Sequence, residues 1–332
     1  MSVTIKDVAR VAGVSPSTVS RVISNSPSIS EKTKTKVRTI MDELKYYPNM
    51  NARSLVNSTS RIIGLVLPDN TDTFYQNPFF PTVLRGMNEV ANEEKYTLLL
   101  SSGNTEDERL DRIKTMVFGK QVDGLIFLYS KINDKIIHFL KEIDFPFVVI
   151  GTPSIKAVNS VDNDNEDMSY EVTSQIIKQG GKKIAFVGGE KSLNFIELRY
   201  EGYRKALEEH GIEVDQSLVF NEFQFLSNVG YQLVEKLLEL PELDGVVIAD
   251  QLVARGIRSG WETAGKEPIP MATFKAYESY KSCEKYELFM DINAQKLGNS
   301  ALSMLLDIIT FKHVENNTQR YIQEIVEAEL VL

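Results

Sequence analysis

The chain has 332 residues, 42% of them apolar and 25% charged, with one cysteine and a formal net charge of −9. That length suits two or three domains, the composition excludes disordered and fibrous classes, and the lone Cys283 excludes an intrachain disulfide framework. No run of about 18 apolar residues occurs, and the start lacks the basic-then-apolar pattern of a secretory signal, so a cytoplasmic protein is expected.

The average charge hides an asymmetry. Residues 1–61 carry ten Lys/Arg against four Asp/Glu, a balance of +6, which leaves 27 against 42, or −15, for the remainder. A basic head on an acidic body places any nucleic-acid surface at the N-terminal end. Thr4 is positioned to cap a first helix on which Ile5, Val8, Ala9 and Ala12 share one face, and Gly13 supplies the left-handed backbone of a tight turn. Ser15 caps a second helix, Pro16 opens it, and Val19, Val22 and Ile23 form its inward stripe. So short a turn forces the two helices to cross as in a helix-turn-helix. Ser17, Thr18, Ser20 and Arg21 are left facing outward, where short hydroxyls permit close approach to bases and Arg21 can donate twice to a guanine. Asn25 and Ser30 suit phosphate or sugar contacts. Ser30 also starts a third helix at about 30–45, with Val37, Ile40, Met41 and Leu44 inward and Lys32, Lys34, Lys36 and Arg38 keeping it basic. A plain helical bundle is the alternative; the turn, the polar face and the charge together favour DNA.

Residues 48–57, PNMNARSLVN, begin with a Pro48–Asn49 start signal and hold about two helical turns, too few to persist alone in water. Such a segment folds when DNA and a second copy supply contacts. Ala52 would then allow close approach, Arg53 meet phosphate and Leu55 wedge into the minor groove. From composition alone it is equally a linker, with Leu55 packed on the body.

From Arg61 the pattern changes to strand-like runs at 62–68, 96–102, 123–129 and 145–151, then at 183–189, 217–220, 244–250 and 269–274. Amphipathic stretches at 79–95, 105–118, 133–142, 165–179, 196–209, 228–239 and 251–264 punctuate them. This alternation predicts parallel sheets covered on both faces, and the two series predict two similar α/β lobes with a cleft beyond the carboxyl ends of their strands. No nucleotide-loop glycine pattern, zinc spacing or calcium-loop register is present, and His138, His210 and His313 lie far apart. No enzyme, cofactor or metal is expected. Strand ends offer Asp69, Tyr129, Asp162, Asp164, Arg199, Asp250 and Lys275 as ligand contacts, with Phe79, Phe80, Phe225 and Tyr277 as aromatic platforms. Polar groups beside aromatic faces suit a sugar.

TIKDVARVAGVSPSTVSRVISN, YYPNMNARSL, QNPFFPTVLRGMNEVANEEKYTLLL, VDGLIFLYS, FPFVVIG, VDNDN, KIAFVGG and RYEGYRKALEEHGI resemble, over nearly the whole chain, the LacI/GalR family of bacterial transcriptional repressors. The likeness is strongest to the branch controlling maltose use in low-GC Gram-positive bacteria. It implies a helix-turn-helix head and hinge helix on a body like a type I periplasmic binding protein. The domains are then 1–47, 48–60 and 61–332, with a first lobe at about 61–161 and 292–318 and a second at about 162–291 and 319–332. It also implies a homodimer on a palindromic operator, released by maltose or a maltooligosaccharide. Base-reading positions of the family fall on Pro16 and Ser17, its DNA-contact positions on Thr18, Ser20, Arg21 and Asn25, and its minor-groove leucine on Leu55; Thr4, Ser15, Ser30, Asn49, Ala52 and Arg53, from the residues themselves, complete the expected DNA-contact set. Effector-cleft positions of the family fall on Phe79, Phe80, Arg199, Phe225 and Asp250, and the strand-end candidates Asp69, Tyr129, Asp162 and Lys275 complete the expected effector site. Departures from the family pattern are a lengthened loop at 69–76, Gly181 in place of a GH pair, and FKAYESY, which puts Lys275 where an aspartate is common. Alternatives are a relative answering to another sugar or a phosphosugar, a global carbon regulator with a protein corepressor, or a sugar-binding transport protein.

Overall fold

The protein is described by a computed structural model that covers residues 3–47, 59–68, 71–103, 105–221, 223–240, 242–276, 287–312 and 321–331. The chain divides into two compact units, Met1–Ser60 and Arg61–Leu332. In the first, α1 (Ile5–Ala12), α2 (Pro16–Ile23) and α3 (Glu31–Glu43) close on a small core. Val8, Ala9, Ala12, Val19, Val22, Val37 and Ile40 form it, so each helix buries the stripe its apolar spacing predicts. Gly13 is left-handed, with φ 66° and ψ 34°, and so lets α1 stop and α2 start within three residues.

The second unit holds two six-stranded sheets of matching topology. In the first, β1 (Ile62–Val66), β2 (Thr97–Ser101), β3 (Gly124–Phe127), β4 (Phe147–Ile150) and β5 (Ser160–Asp162) lie in the order β2-β1-β3-β4-β5. In the second, β6 (Ile184–Val187), β7 (Val219–Phe220), β8 (Gly245–Ile248), β9 (Met271–Lys275) and β10 (Glu287–Asp291) repeat it as β7-β6-β8-β9-β10. All these pairs are parallel; on β1, Leu65 sits between Leu100 and Ile126. The central strands are buried along their whole length, as strands covered on both faces must be.

The crossovers are α4 (Thr71–Gln76), α5 (Phe79–Glu94), α6 (Glu106–Phe118), α7 (Lys135–Glu142), α8 (Asn165–Lys178), α9 (Asn194–Glu209), α10 (Ser227–Glu239), α11 (Gln251–Thr263) and α12 (Ala294–Lys312). Two differ from the sequence expectation. The stretch expected as a lengthened loop at 69–76 forms α4 over its described part, and α12, which no spacing argument picked out, runs 19 residues along the first lobe.

The C-terminal segment corrects the lobe assignment. Expected wholly in the second lobe, it contributes β11 (Gln323–Ile325) to the first sheet, parallel to β5, and only β12 (Glu329–Val331) to the second, antiparallel to β10. The chain therefore passes between sheets after β5, between β10 and α12, and between β11 and β12.

Helices α5 and α12 meet backbone to backbone. A Cβ on Gly86 would stand 2.0 Å from the Gln295 carbonyl oxygen, and one on Gly298 2.1 Å from that of Val83. Gly298→Val should therefore force the pair apart and lower stability by at least ~1–3 kcal/mol, read as a lower midpoint in urea denaturation; an unchanged midpoint would contradict this packing.

Candidate functional sites: a polar helix face and an interlobe cleft

In the N-terminal unit the candidate contact residues fall into two groups. Ser17, Ser20 and Arg21 are exposed on α2, their side chains holding no hydrogen-bond partner among the described residues, while Val19 and Val22 behind them are fully buried. That is a short polar surface backed by a rigid one, the arrangement a base-reading helix needs. The others serve the fold as well. The Thr4 hydroxyl donates to Asp7 at 2.7 Å, holding the Asp7 carboxyl below the usual carboxylate range. Ser15 accepts from the Thr18 amide at 3.1 Å, and Ser30 caps α3 by accepting from the Thr33 amide at 3.3 Å. Asn25 is left-handed at φ 55° and accepts from Arg38 at 2.9 Å, which binds the turn after α2 to α3. Pro16 occupies the first position of α2. Of the basic residues of α3, Lys34 is buried and pairs with Glu31 at 2.8 Å. Asn49, Ala52, Arg53 and Leu55 lie outside the described residues.

In the second unit the carboxyl ends of both sheets surround a cavity of about 500 Å³, within the range of small-molecule sites. Of the residues expected there, Phe79, Phe80, Tyr129, Asp162, Arg199, Phe225 and Asp250 line it. Asp69 and Tyr277 lie outside the described residues. Asp164 is exposed and caps α8 by accepting from the Asp167 amide. Lys275 is a correction. Its ammonium donates to Glu287 at 3.2 Å and sits 4.2 Å from the Phe289 ring centroid, away from the cavity. Successive side chains of a strand point to opposite faces, and it is Phe274 that lines the cleft.

Arg199 is the centre of the site. It is buried on α9, in the helix's second turn. Its Nε donates to Asn165 Oδ1 at 2.9 Å and its NH1 to the Ala249 carbonyl oxygen. The guanidinium carbon stands 3.7 Å from the Phe274 ring centroid and 5.0 Å from that of Phe195. Burial lowers its pKa to about 10, against the attraction of Asp162 and Asp250, so it stays a cation at neutral pH. Burial likewise raises both carboxyls above the usual range, opposed at Asp162 by donors from Thr152 and Asn163 and at Asp250 by donors from Val253, Leu252 and Asn77. Asn165 also donates to Asp162 at 3.0 Å, which completes a relay from Arg199 to a strand end of the first sheet.

The aromatic lining comprises Phe79, Phe80, Phe195, Phe223, Phe225 and Phe274. Phe79 and Phe80 meet edge to face, with centroids 5.2 Å apart. Tyr129 adds its ring only, because its hydroxyl donates to Asp134 at 2.9 Å inside the first lobe. At the other charged spot, Lys131 faces Glu190 at 3.7 Å.

Polar contacts cross between lobes. On one side the Ile132 amide donates to the Ser192 carbonyl oxygen and Asn194 donates to that of Thr152. On the other, Asn77 donates to Asp250 at 2.6 Å and accepts from Gln251 at 3.1 Å. Behind the cavity, buried Asn163 donates to the carbonyl oxygens of Ile292 at 3.1 Å and Val326 at 2.8 Å, so that one side chain ties all three passages of the chain between sheets. Sequence reading missed Asn77 and Asn163. Asn77 sits two positions before Phe79 and Asn163 directly after Asp162, both of which it chose, but their partners lie more than a hundred positions away.

Among the described residues no cluster of His, Cys, Asp and Glu suits a metal ion, and no helix is long and apolar enough to cross a membrane.

Comparison with known proteins places both units. Residues 4–49 match the family described as "Bacterial regulatory proteins, lacI family", and residues 60–326 match "Periplasmic binding proteins and sugar binding domain of LacI family". The chain is 41% identical over 332 residues to the HTH-type transcriptional regulator MalR of Streptococcus pneumoniae, covering 100% of this chain and 99% of that one. Among solved structures, the transcriptional regulator CelR–cellobiose complex is similar with a TM-score of 0.74 and 25% identity, covering 99% of this chain and 98% of that one. The lac repressor dimer bound to operator and the anti-inducer ONPF shares the fold, with a TM-score of 0.85 at 21% identity over 100% of this chain and 98% of that one.

Asn163→Ala removes the donor from two buried carbonyls at the crossovers. It should cost ~1–3 kcal/mol in equilibrium unfolding, and a variant as stable as the wild type would show that the carbonyls find other partners.

Proposed function

Because this chain belongs to the lacI family of bacterial regulatory proteins, we propose that it is a sequence-specific repressor of maltose and maltodextrin utilisation genes, released when maltose or a related neutral saccharide fills the interlobe cleft. The observation that carries the reading is the chemistry of that cleft. Six phenylalanine rings offer apolar faces, and each cation lining it already has a carboxylate opposite: Arg199 faces Asp162 and Asp250, and Lys131 faces Glu190. A phosphosugar would meet a lining with more carboxylates than cations, whereas a neutral sugar gains ring faces and hydrogen-bonding groups without that repulsion. The 41% identity to MalR and the likeness to a regulator in complex with cellobiose support the same class of ligand.

The division of labour follows. Residues 1–47 read DNA through the α2 face, 48–60 act as a hinge, and 61–332 bind effector and pair with a second copy. Leu99 and Leu100, apolar and partly exposed on the edge strand β2, are surfaces that a second copy would cover. A twofold pair of heads on a palindromic operator doubles the phosphate contacts and makes half-site spacing part of the specificity. Sugar that favours one relation of the lobes weakens operator binding by linkage, and operator weakens sugar binding by the same factor.

Two measurements test this. Labelled operator, selected by the protein from a random DNA pool, is titrated with and without maltose; affinity should fall about tenfold or more, within ordinary allosteric coupling, while glucose 6-phosphate leaves it unchanged. Equal affinity at saturating maltose would refute maltose as inducer. Arg21→Ala should reduce discrimination between operator and random DNA by ~1–3 kcal/mol while maltose binding persists, and uniform weakening on both DNAs would reassign Arg21 to the phosphates.

A further inference from the structure

We propose that Arg61 is a clamp at the entry to the body, a positioning residue that fixes the end of the linker to the first lobe and passes movement of α5 on to it. Arg61 is exposed and left-handed, with φ 57°. Lys45, Lys95, Lys120 and Asp144 share that conformation, but each follows a helix end within two residues, where a left-handed residue is ordinary. Arg61 instead precedes a strand, β1, and its side chain disfavours the conformation. Its surroundings must hold it there.

The holding contacts come from three neighbouring elements. The Arg61 amide donates to Asp123 Oδ2 at 2.9 Å, just ahead of β3, and its carbonyl oxygen accepts from the Thr97 amide at 2.9 Å, at the start of β2. Both peptide groups that set its backbone angles are thereby fixed. Its NH1 donates to the Glu94 carbonyl oxygen at 3.3 Å, on the last residue of α5, where a cation also meets the negative end of the helix dipole. The guanidinium carbon lies 5.0 Å from the centroid of the Tyr96 ring, which is itself packed against the main core. All of these partners belong to the first lobe.

Helix α5 gives the clamp a reach beyond its own neighbourhood. Phe79 and Phe80, in its first turn, line the interlobe cavity, and Glu94 at its other end holds Arg61. An unbroken helix separates the two ends by roughly 22 Å at its usual rise per residue. Backbone-distance packing at Gly86 and Gly298 keeps α5 from sliding independently of α12. A shift of α5 at the cavity therefore arrives at Arg61 as a shift of the linker's end. Rigid elements carry coupling between distant sites only where the chain at the far end cannot swivel. Arg61 removes that swivel.

The transmission rests on the reading of this chain as a sugar-released repressor, whereas the clamp itself does not, so the test on the full chain has two arms. Arg61→Gly accepts the left-handed backbone without strain and removes the guanidinium. In hydrogen exchange without ligand, residues 60–62 and 96–98 should exchange faster in this variant than in the wild type; equal exchange would overturn the clamp. In operator titrations the maltose-induced loss of affinity, about tenfold or more in the wild type, should shrink below ~threefold. Maltose affinity and sugar-free operator affinity should each stay within ~twofold. A full maltose response in a variant whose exchange has risen would overturn the transmission, as would loss of maltose binding itself, the sign of a merely structural role. Arg61→Lys keeps a charge over Tyr96 but replaces the guanidinium fork with an ammonium, so it should fall between the two on both readouts, and it carries the test if Arg61→Gly does not fold. If the wild type ignores maltose, the maltose reading fails alone and the exchange arm still decides the clamp.

Discussion

A guanidinium removed from water is costly unless charge, hydrogen bonds or ring faces replace its hydration, and Arg199 is removed from water where the two sheets of the body converge. Its neighbours are drawn from the whole unit: Asn165 on α8, the backbone of Ala249 after β8, Phe274 on β9, Asp162 at the end of β5 and Asp250 at the start of α11. Each must arrive for the charge to be tolerated. The cleft is thus organised around a cation whose demands the protein already meets, which leaves its outer polar groups and its rings for a ligand. The same burial that weakens the hold of Arg199 on its proton raises the carboxyls facing it, so the three groups form one electrostatic unit.

Around that unit, rigid and deformable parts are separated. Within the first lobe α5 and α12 pack through glycines at backbone distance, which resists sliding. Between lobes the covalent links are three short passages, all tied by Asn163. The interlobe contacts described at the cleft edges are hydrogen bonds between polar groups and the Lys131–Glu190 ion pair. Motion of one lobe against the other can therefore be confined to a few residues while each sheet keeps its shape, the arrangement of a hinged binding protein.

In the head, short hydroxyl residues do two jobs. Thr4, Ser15 and Ser30 are committed to helix starts, and Asn25 to Arg38, which fixes the backbone on either side of α2. Ser17, Ser20 and Arg21 keep their side chains outside this network. A reading helix works only if it is held by something other than its own reading side chains, and the buried valines Val8, Val19, Val22 and Val37 with three capped starts provide that hold.

The sequence by itself determined what depends on neighbours a few residues away. Gly13, Ser15 and Pro16 make a turn whatever surrounds them, and helical or strand periodicity located the elements from α5 to α11 and most strands of both sheets to within a few residues. Helix α12 escaped because its apolar side chains are buried around much of its circumference and leave no clean polar face. Strands β5, β10, β11 and β12 are short or flank undescribed segments, and too few residues repeat in them for a period to show. Tertiary structure alone decided the rest. Alternation along β9 turned Phe274 inward and Lys275 away, but which face is inward is set by α9 and its arginine. The pairing of Asn77 with Asp250, 173 positions apart, and of Asn163 with Ile292 and Val326 has no local signature, because a hydrogen bond records proximity in space and leaves no period in the chain.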